Sequence, residues 1–348
     1  MNRHKGFFPP LDFARGRIEL GHGSGGRATA QLIEELFAAA FDNEWLQRMN
    51  DQAAIDPPPG RLVMTTDSFV VSPLFFPGGD IGSLAVHGTV NDIAMGGARP
   101  LYLSASFIIE EGFALADLRR IVHSMAEASR AAAVPIVTGD TKVVERGKGD
   151  GVFITTTGVG VVPAGVDISA DRARPGDHIL LSGCIGDHGV AILSQREHLS
   201  FETELQSDTA ALHGLVAAMI AVAPDVHCLR DPTRGGLAAV LNELAQQSKV
   251  GMVIRERDIP MRPAVAAACE FLGLDPLYIA NEGKLVAVCP PESAAAALAA
   301  LRAHPLGKDA AIIGEVREDA HCFVEMETDF GGKRLVDWLS SDPLPRIC

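Results

Sequence analysis

Apolar and polar positions change rhythm many times along the chain, between the alternation of strands and the three-to-four spacing of helices. "RIEL" alternates like a short strand and is followed by "GHGSGG". "RATAQLIEELFAAAFD" then sets Ile33, Leu36, Phe37, Ala40 and Phe41 along one helical face. "RLVMTTD" reads as a strand ending at Asp67. "IGSLAVHGTVNDIAMGG" reads as a helix closed by Gly96 and Gly97, which suit a C-terminal cap. "LYLSASFII" is a strand, a long helix runs through Leu115, Leu118, Val122, Met125 and Ser129, and "PIVTGD" is a strand ending at Asp140. Two more strands flank "RGKGDG". Such alternation predicts a mixed α/β layer domain over residues 1–168.

The polar stretch "SADRARPGD" marks a boundary, after which "HILLSG" restarts with a strand. Helices follow near 188–198 and 208–222, then the loop "RDPTRGG", the helix "LAAVLNELAQQS" and the strand "GMVIRE". Two helices and three strands complete a second α/β domain over 169–332. Residues 333–348, with two prolines near the end, are expected to form an extended, mobile tail.

Composition narrows the function classes. A length of 348 residues suits two domains with separate cores. A net charge of -14 opposes nucleic-acid binding, which needs surplus Lys and Arg, but leaves nucleotides open because Mg²⁺ can bridge carboxylates to phosphates. No stretch is long and apolar enough for a membrane span, and the beginning lacks the apolar core of a signal peptide. The six cysteines show no metal-ligand spacing, so a reducing cytoplasm is the expected compartment.

Several short motifs carry candidate chemistry. "GHGSGG", holding Gly23, Ser24, Gly25 and Gly26, matches a dinucleotide fingerprint, yet the strand before it contains Arg17 and Glu19 and is not the buried apolar strand that fold uses. An amide-rich loop before a helix can still wrap anionic oxygens. Asp67 and Asp140 at strand ends, with Asp92 on a helix, are expected on one rim of a sheet as Mg²⁺ ligands. "RDPTRGG", with Arg234, reads as a helix cap or a second anion loop; His188 in "GDHG", at a similar strand–loop–helix junction, caps or packs. Glu282 in "IANEGK" is a solvated turn acid or a general base. Cys348, the last residue of the sequence, is an incidental thiol or a reactive group on an arm.

The order "HGSGG", "TTDSFVVSPLFFPGGDIG", "HGTVNDIAMGGARP", "TGDTKVV", "GDHG", "RDPTRGG", "NEG" and final "PRIC" resembles the HypE family of hydrogenase maturation proteins over nearly the whole chain. That family lies in the aminoimidazole ribonucleotide synthetase superfamily, with selenophosphate synthetase and thiamine-phosphate kinase. The resemblance implies a two-domain fold with mixed sheets and a homodimer whose first-domain sheets join into a barrel near ATP. It implies an ATP- and Mg²⁺-dependent carbamoyl dehydratase: the transferase HypF loads Cys348 as a thiocarboxamide, dehydration gives a thiocyanate, and cyanide passes to the iron-carrying HypC–HypD complex. Glu282 matches the family's base, Lys142 a residue beside the reacting group, and Arg346 a guide for the tail. Asp67, Asp92 and Asp140 match its metal ligands, and Gly23–Gly26, Asn91 and Thr141 its nucleotide contacts. A small-molecule kinase or synthetase of the same superfamily remains as an alternative, although "PRIC" has no use in one. A non-catalytic scaffold that docks a metallochaperone through the tail is the reading from another class.

Overall fold

A computed structural model describes residues 9–56, 58–197, 205–339 and 346–348. The chain opens with a 3₁₀ turn (Leu20–Gly23), α1 (Arg27–Leu32), a π turn (Ile33–Phe37) and α2 (Ala38–Phe41). It continues through β1 (Arg61–Phe69), β2 (Phe75–Phe76), β3 (Gly79–Asp80), α3 (Ile81–Met95), β4 (Arg99–Glu110), α4 (Leu115–Ala132), β5 (Ile136–Val144) and β6 (Val152–Val162). Strands β1-β6-β4-β5 form a four-stranded sheet in that order, antiparallel except for the parallel β4–β5 pair.

The two faces of this sheet differ. Phe69, Ala105, Phe107, Ile109, Val152 and Ile154 are buried in one core with the apolar sides of α3 and α4. The opposite face carries Thr66, Ser68, Ser106, Thr155 and Thr157, with Ser68 Oγ and Thr155 Oγ1 2.9 Å apart and Thr157 Oγ1 donating to Thr66 Oγ1 at 2.9 Å. Between these polar groups Leu62 is 54% exposed, Met64 73% and Ile108 45%.

The second half comprises β7 (His178–Leu181), α5 (Asp187–Arg196), α6 (His213–Ile220), β8 (Cys228–Arg230), α7 (Gly236–Ser248), β9 (Gly251–Arg255), α8 (Pro263–Leu272), β10 (Val286–Cys289), α9 (Pro291–Ala303), β11 (Ala311–Arg317), β12 (Val324–Glu327) and β13 (Lys333–Leu335). Its seven strands lie in the order β13-β12-β9-β11-β7-β10-β8. The α7 side and the α6/α9 side of this sheet each bury their own apolar cluster.

Four expectations change. "RIEL" forms a single bridge, Arg17 to Ala114, and no strand. The first helix buries the expected face, with Leu36, Phe37 and Ala40 inside, but widens into a π turn midway. Asp67 and Asp140 do not end strands: β1 runs on to Phe69, and "TGD" and "KVV" are one strand, β5. The segment expected as a loose tail begins bound, because β13 pairs with β12 and Val336 is buried. The proline-bearing part of that arm, with Pro343 and Pro345, lies outside the described residues, as do residues 1–8.

Candidate functional site

The site residues fall into two groups, set apart by the sheet. Asp67 lies on the helix-covered side of β1, next but one to Thr65, whose hydroxyl donates to Asp92 Oδ2 of α3 at 2.8 Å. Asp231, just after β8, and Glu282 complete this first group: the charges of Asp92 and Asp67 both act on Asp231, and Asp231, Asp67 and Asp92 all act on Glu282. Asp140 is elsewhere. Register runs from Asp67 to Thr156 to Ala105 to Gly139, and Asp140 sits one residue further along on β5. That places it three strands from Asp67, roughly 14 Å in the hydrogen-bonding direction, and alternation turns it to the opposite face. The expected single rim of three acids is therefore two separate places. Among the described residues no three His, Cys, Asp or Glu side chains converge tightly enough to hold a metal alone.

Burial governs the chemistry of the first group. Glu282 is only 3% exposed and its Oε1 has no hydrogen-bond partner. Burial, followed by the charges of Asp231, Asp208, Asp67 and Asp92, holds its proton well above the usual carboxylate range. Burial and the neighbouring Asp92 push Asp231 up to about 7, and burial with Asp67 raises Asp92. Mutually repelling, desolvated carboxylates are what a hard divalent cation relieves, so the donor set of Asp67, Asp92 and Asp231 fits Mg²⁺ with phosphate oxygens completing its shell.

The raised value of Asp231 carries a stability prediction. A carboxyl that holds its proton more tightly folded than unfolded contributes stability below about pH 4 and loses it as pH rises through about 7. Without Mg²⁺, Asp231→Asn should therefore raise the melting temperature at pH 8 and leave it nearly unchanged at pH 4.5. An equal shift at both pH values would exclude this electrostatic origin.

The Glu282 loop is tightly braced. Its backbone N–H donates to Asp208 Oδ1 at 3.0 Å, and Asp208 Oδ2 accepts from Lys284 Nζ at 2.9 Å. Burial pushes the Asp208 carboxyl up, but Lys284 and the Glu282 amide outweigh it and hold it below the usual range. Gly283 is required here, because a β-carbon would stand 1.8 Å from the Asp208 carbonyl oxygen. Asn281 donates to the Pro232 carbonyl at 2.9 Å, joining this loop to "RDPTRGG". Asn91, expected at the nucleotide, braces the loop: its amide donates to Ala210 O and Glu282 O at 3.0 and 3.3 Å and accepts from Leu212 N at 2.7 Å. Arg234 is exposed before α7.

The second group gathers the glycine loop against β5. Gly23 touches Val143 so closely that a β-carbon would lie 2.5 Å from its nitrogen. Ser24 Oγ donates to Gly21 O at 3.1 Å, and Gly25 N–H donates to Thr29 Oγ1 at 3.0 Å; Gly26 caps α1. Lys142 Nζ bonds Asp140 Oδ1 at 2.8 Å in a pair more than half exposed. That hydrogen bond is the main reason the Asp140 carboxyl lies below its usual range. Beside them Phe37, Phe41, Phe107, Met49, Ile136 and Thr141 line an apolar cavity of about 130 Å³.

The described end of the chain docks beside the first group. Val70 and Ser72, just beyond β1, donate their N–H groups to Cys348 O and Arg346 O, each at 3.1 Å. Arg346 Nε donates to Val70 O at 3.0 Å and its guanidinium pairs with Asp150. Ile347 is 2% exposed, and His188 Nε2 lies 2.8 Å from its carbonyl. Val70 follows Asp67 by three residues, so the Cys348 backbone is held roughly 10 Å along the chain from Asp67. None of the six cysteines is in a disulfide.

Sequence reasoning grouped Asp67 and Asp92 with Asp140, read Glu282 separately as a turn acid or base, and gave the "RDPTRGG" loop a possible ligand role without joining Asp231 to any of them. It missed Ser207 and Asp208, which stand in a polar loop that carries no motif of its own, and gave no role to Asn281 although "IANEGK" contains it.

Comparison with known proteins follows this geometry. Residues 49–162 match the family described as AIR synthase related protein, N-terminal domain, and residues 174–327 its C-terminal domain. The carbamoyl dehydratase HypE of Azotobacter vinelandii is 70% identical over 97% of this chain and 99% of its own length. A crystal structure of hydrogenase maturation protein HypE in complex with ATP is 53% identical, with a TM-score of 0.92, over 94% of this chain and 99% of that one. Another, of a HypE–HypF complex, is 52% identical, with a TM-score of 0.79, over 88% of this chain and 99% of that one. With both halves matched and such identity along nearly its whole length, the chain belongs to the HypE family of AIR synthase-related proteins.

Proposed function

We propose that the protein is an ATP-dependent carbamoyl dehydratase acting on its own Cys348. The observation that carries this reading is the docking of Cys348 beside β1, three residues along from Asp67, with the desolvated Glu282 in the same group. The names of the relatives and the ATP complex of one of them support it.

The oxygen of a thiocarboxamide, R–S–C(=O)–NH₂, attacks the γ-phosphorus of ATP and ADP leaves. The amide oxygen, a poor leaving group, thereby becomes a phosphate ester, and the nitrogen gives up one proton. Loss of the second N–H proton with departure of phosphate leaves R–S–C≡N, ADP and phosphate. A buried carboxylate with high proton affinity suits such proton removal, and Glu282 takes that role. Lys142 offsets charge developing at the reacting group, and Arg346 guides the arm. Mg²⁺ would screen the polyphosphate, held by Asp67, Asp92 and Asp231, with Asp140 contributed from the glycine-loop group of a second copy. The loop of Gly23–Gly26 closes over phosphates and excludes water, and Thr141 and the apolar cavity beside it receive the base.

ATP cannot engage both groups of one chain if they stay on opposite edges and faces of the sheet. A homodimer resolves this when the half-apolar faces bearing Leu62, Met64 and Ile108 close on each other and the glycine-loop group of one copy meets the carboxylate group of its partner. Loading of Cys348 by a HypF-type transferase and delivery of cyanide to a HypC–HypD-type iron carrier complete the cycle; the structure of a HypE–HypF complex supports the first. Among the described residues no helix is long and apolar enough to cross a membrane.

The test is the mass of the C-terminal peptide after incubation with carbamoyl phosphate, ATP, Mg²⁺ and the transferase, beside Cys348→Ala. The expected result is an adduct on Cys348 that loses one water only when ATP is hydrolysed. ATP consumption with Cys348 unmodified would turn the reading toward a small-molecule kinase or synthetase.

A further inference from the structure

His188 stands outside the roles assigned so far, yet it is wholly buried and has a partner at each ring nitrogen. Its Nε2 lies 2.8 Å from Ile347 O, and its Nδ1 2.7 Å from Ser207 Oγ. A carbonyl only accepts, so Nε2 carries the hydrogen and Nδ1 accepts the Ser207 hydroxyl, whose oxygen in turn accepts Thr209 N–H at 3.1 Å. Phe76 packs edge-on against the ring at 5.6 Å between centroids. The donor is therefore aimed by Ser207 and Phe76, and the group it serves belongs to the arm.

The same ring is tied to the Glu282 loop. Gly186 N–H, at the start of α5, donates to Asn281 Oδ1 at 2.7 Å, and Gly189 N–H donates to Ala280 O at 3.1 Å. Ser207 holds the ring while the next residue, Asp208, holds the Glu282 amide. Two short backbone links thus join the residue that holds Ile347 to the residue proposed as base.

We infer that His188 is the positioning residue that latches the arm through the Ile347 carbonyl and sets Cys348 at a fixed place relative to Glu282. When the arm leaves, the buried Nε2–H loses its acceptor, an unfavourable state that draws the arm back. Arg196 supports the same docked form by donating to Ser72 O at 2.7 Å and Arg346 O at 3.0 Å. The inference rests on the reading of Cys348 as the carrier of the reacting group, but its test does not use that chemistry.

The experiment follows alkylation of Cys348 by iodoacetamide in the full-length protein, read from the mass of the C-terminal peptide. Hydrogen exchange at the Val70 and Ser72 amides is read in parallel. His188→Ala should speed alkylation about tenfold and remove protection at both amides, as expected for loss of one buried hydrogen bond. His188→Gln, whose side-chain amide can reach the same carbonyl, should restore most of the wild-type protection. Ser207→Ala, which keeps the ring but removes its aiming partner, should lie between. If His188→Ala misfolds, the Ser207→Ala and His188→Gln pair still decides. Wild-type alkylation and exchange in every folded variant, or faster alkylation in His188→Gln equal to that in His188→Ala, would overturn the latch. A dehydration failure with a normal latch would instead count against the proposed chemistry.

Discussion

Replacing Glu282 with Gln should trap the thiocarboxamide on Cys348, lowering the dehydration rate by roughly 10²–10⁴. The substitution keeps shape and removes the ability to take a proton. Folding should not suffer, because the wild-type carboxyl sits desolvated among Asp231, Asp208, Asp67 and Asp92, and a neutral amide there relieves repulsion. A melting temperature equal to or above wild type at neutral pH, with an adduct that persists despite ATP, is the expected pair of results. The wild-type rate should also fall on its acid side at a pH above the ordinary carboxylate range, since the base works only when ionised. Dehydration at the wild-type rate in Glu282→Gln would remove Glu282 from the mechanism.

The second large effect concerns the two groups on the sheet. Asp67→Asn damages the carboxylate group and Lys142→Ala the glycine-loop group, so each variant alone should be inactive. Co-expressed, they should recover about a quarter of wild-type activity, because random pairing makes half the dimers mixed and each mixed dimer holds one intact site. No recovery, with mixed dimers demonstrated by mass, would mean that one chain supplies a complete site. Activity in either variant alone would mean that the substituted residue is dispensable.

The contrast between the groups also measures what the sequence could reveal. Strand and helix order and the glycine cap after α3 were legible because they depend on local rhythm and turn chemistry. Asp67, Asp92 and Glu282 each stood out through a motif, but their shared neighbourhood did not. The separation of Asp140 was not, because it follows from strand order β1-β6-β4-β5, a long-range pairing that local periodicity does not encode. The face of each acid depends on where a strand truly begins and ends, and both "RLVMTTD" and "PIVTGD" were read too short. Ser207 and Asp208 had no signal at all, since a Ser-Asp pair in a loop has the composition of an ordinary turn. The strand at Lys333–Leu335 was hidden by its brevity and by the charged residues that suit an exposed edge.

The arm rests on β1 through main-chain groups, Val70 and Ser72 meeting the oxygens of Cys348 and Arg346. Such pairing recognises the path of a backbone and is indifferent to what hangs from the sulfur. Bare, loaded and finished arms would then seat alike, so the berth itself supplies no sense of direction to the cycle. In the proposed reaction, one-way traffic would then come from the irreversible expenditure of nucleotide and from the partners that load and unload the arm.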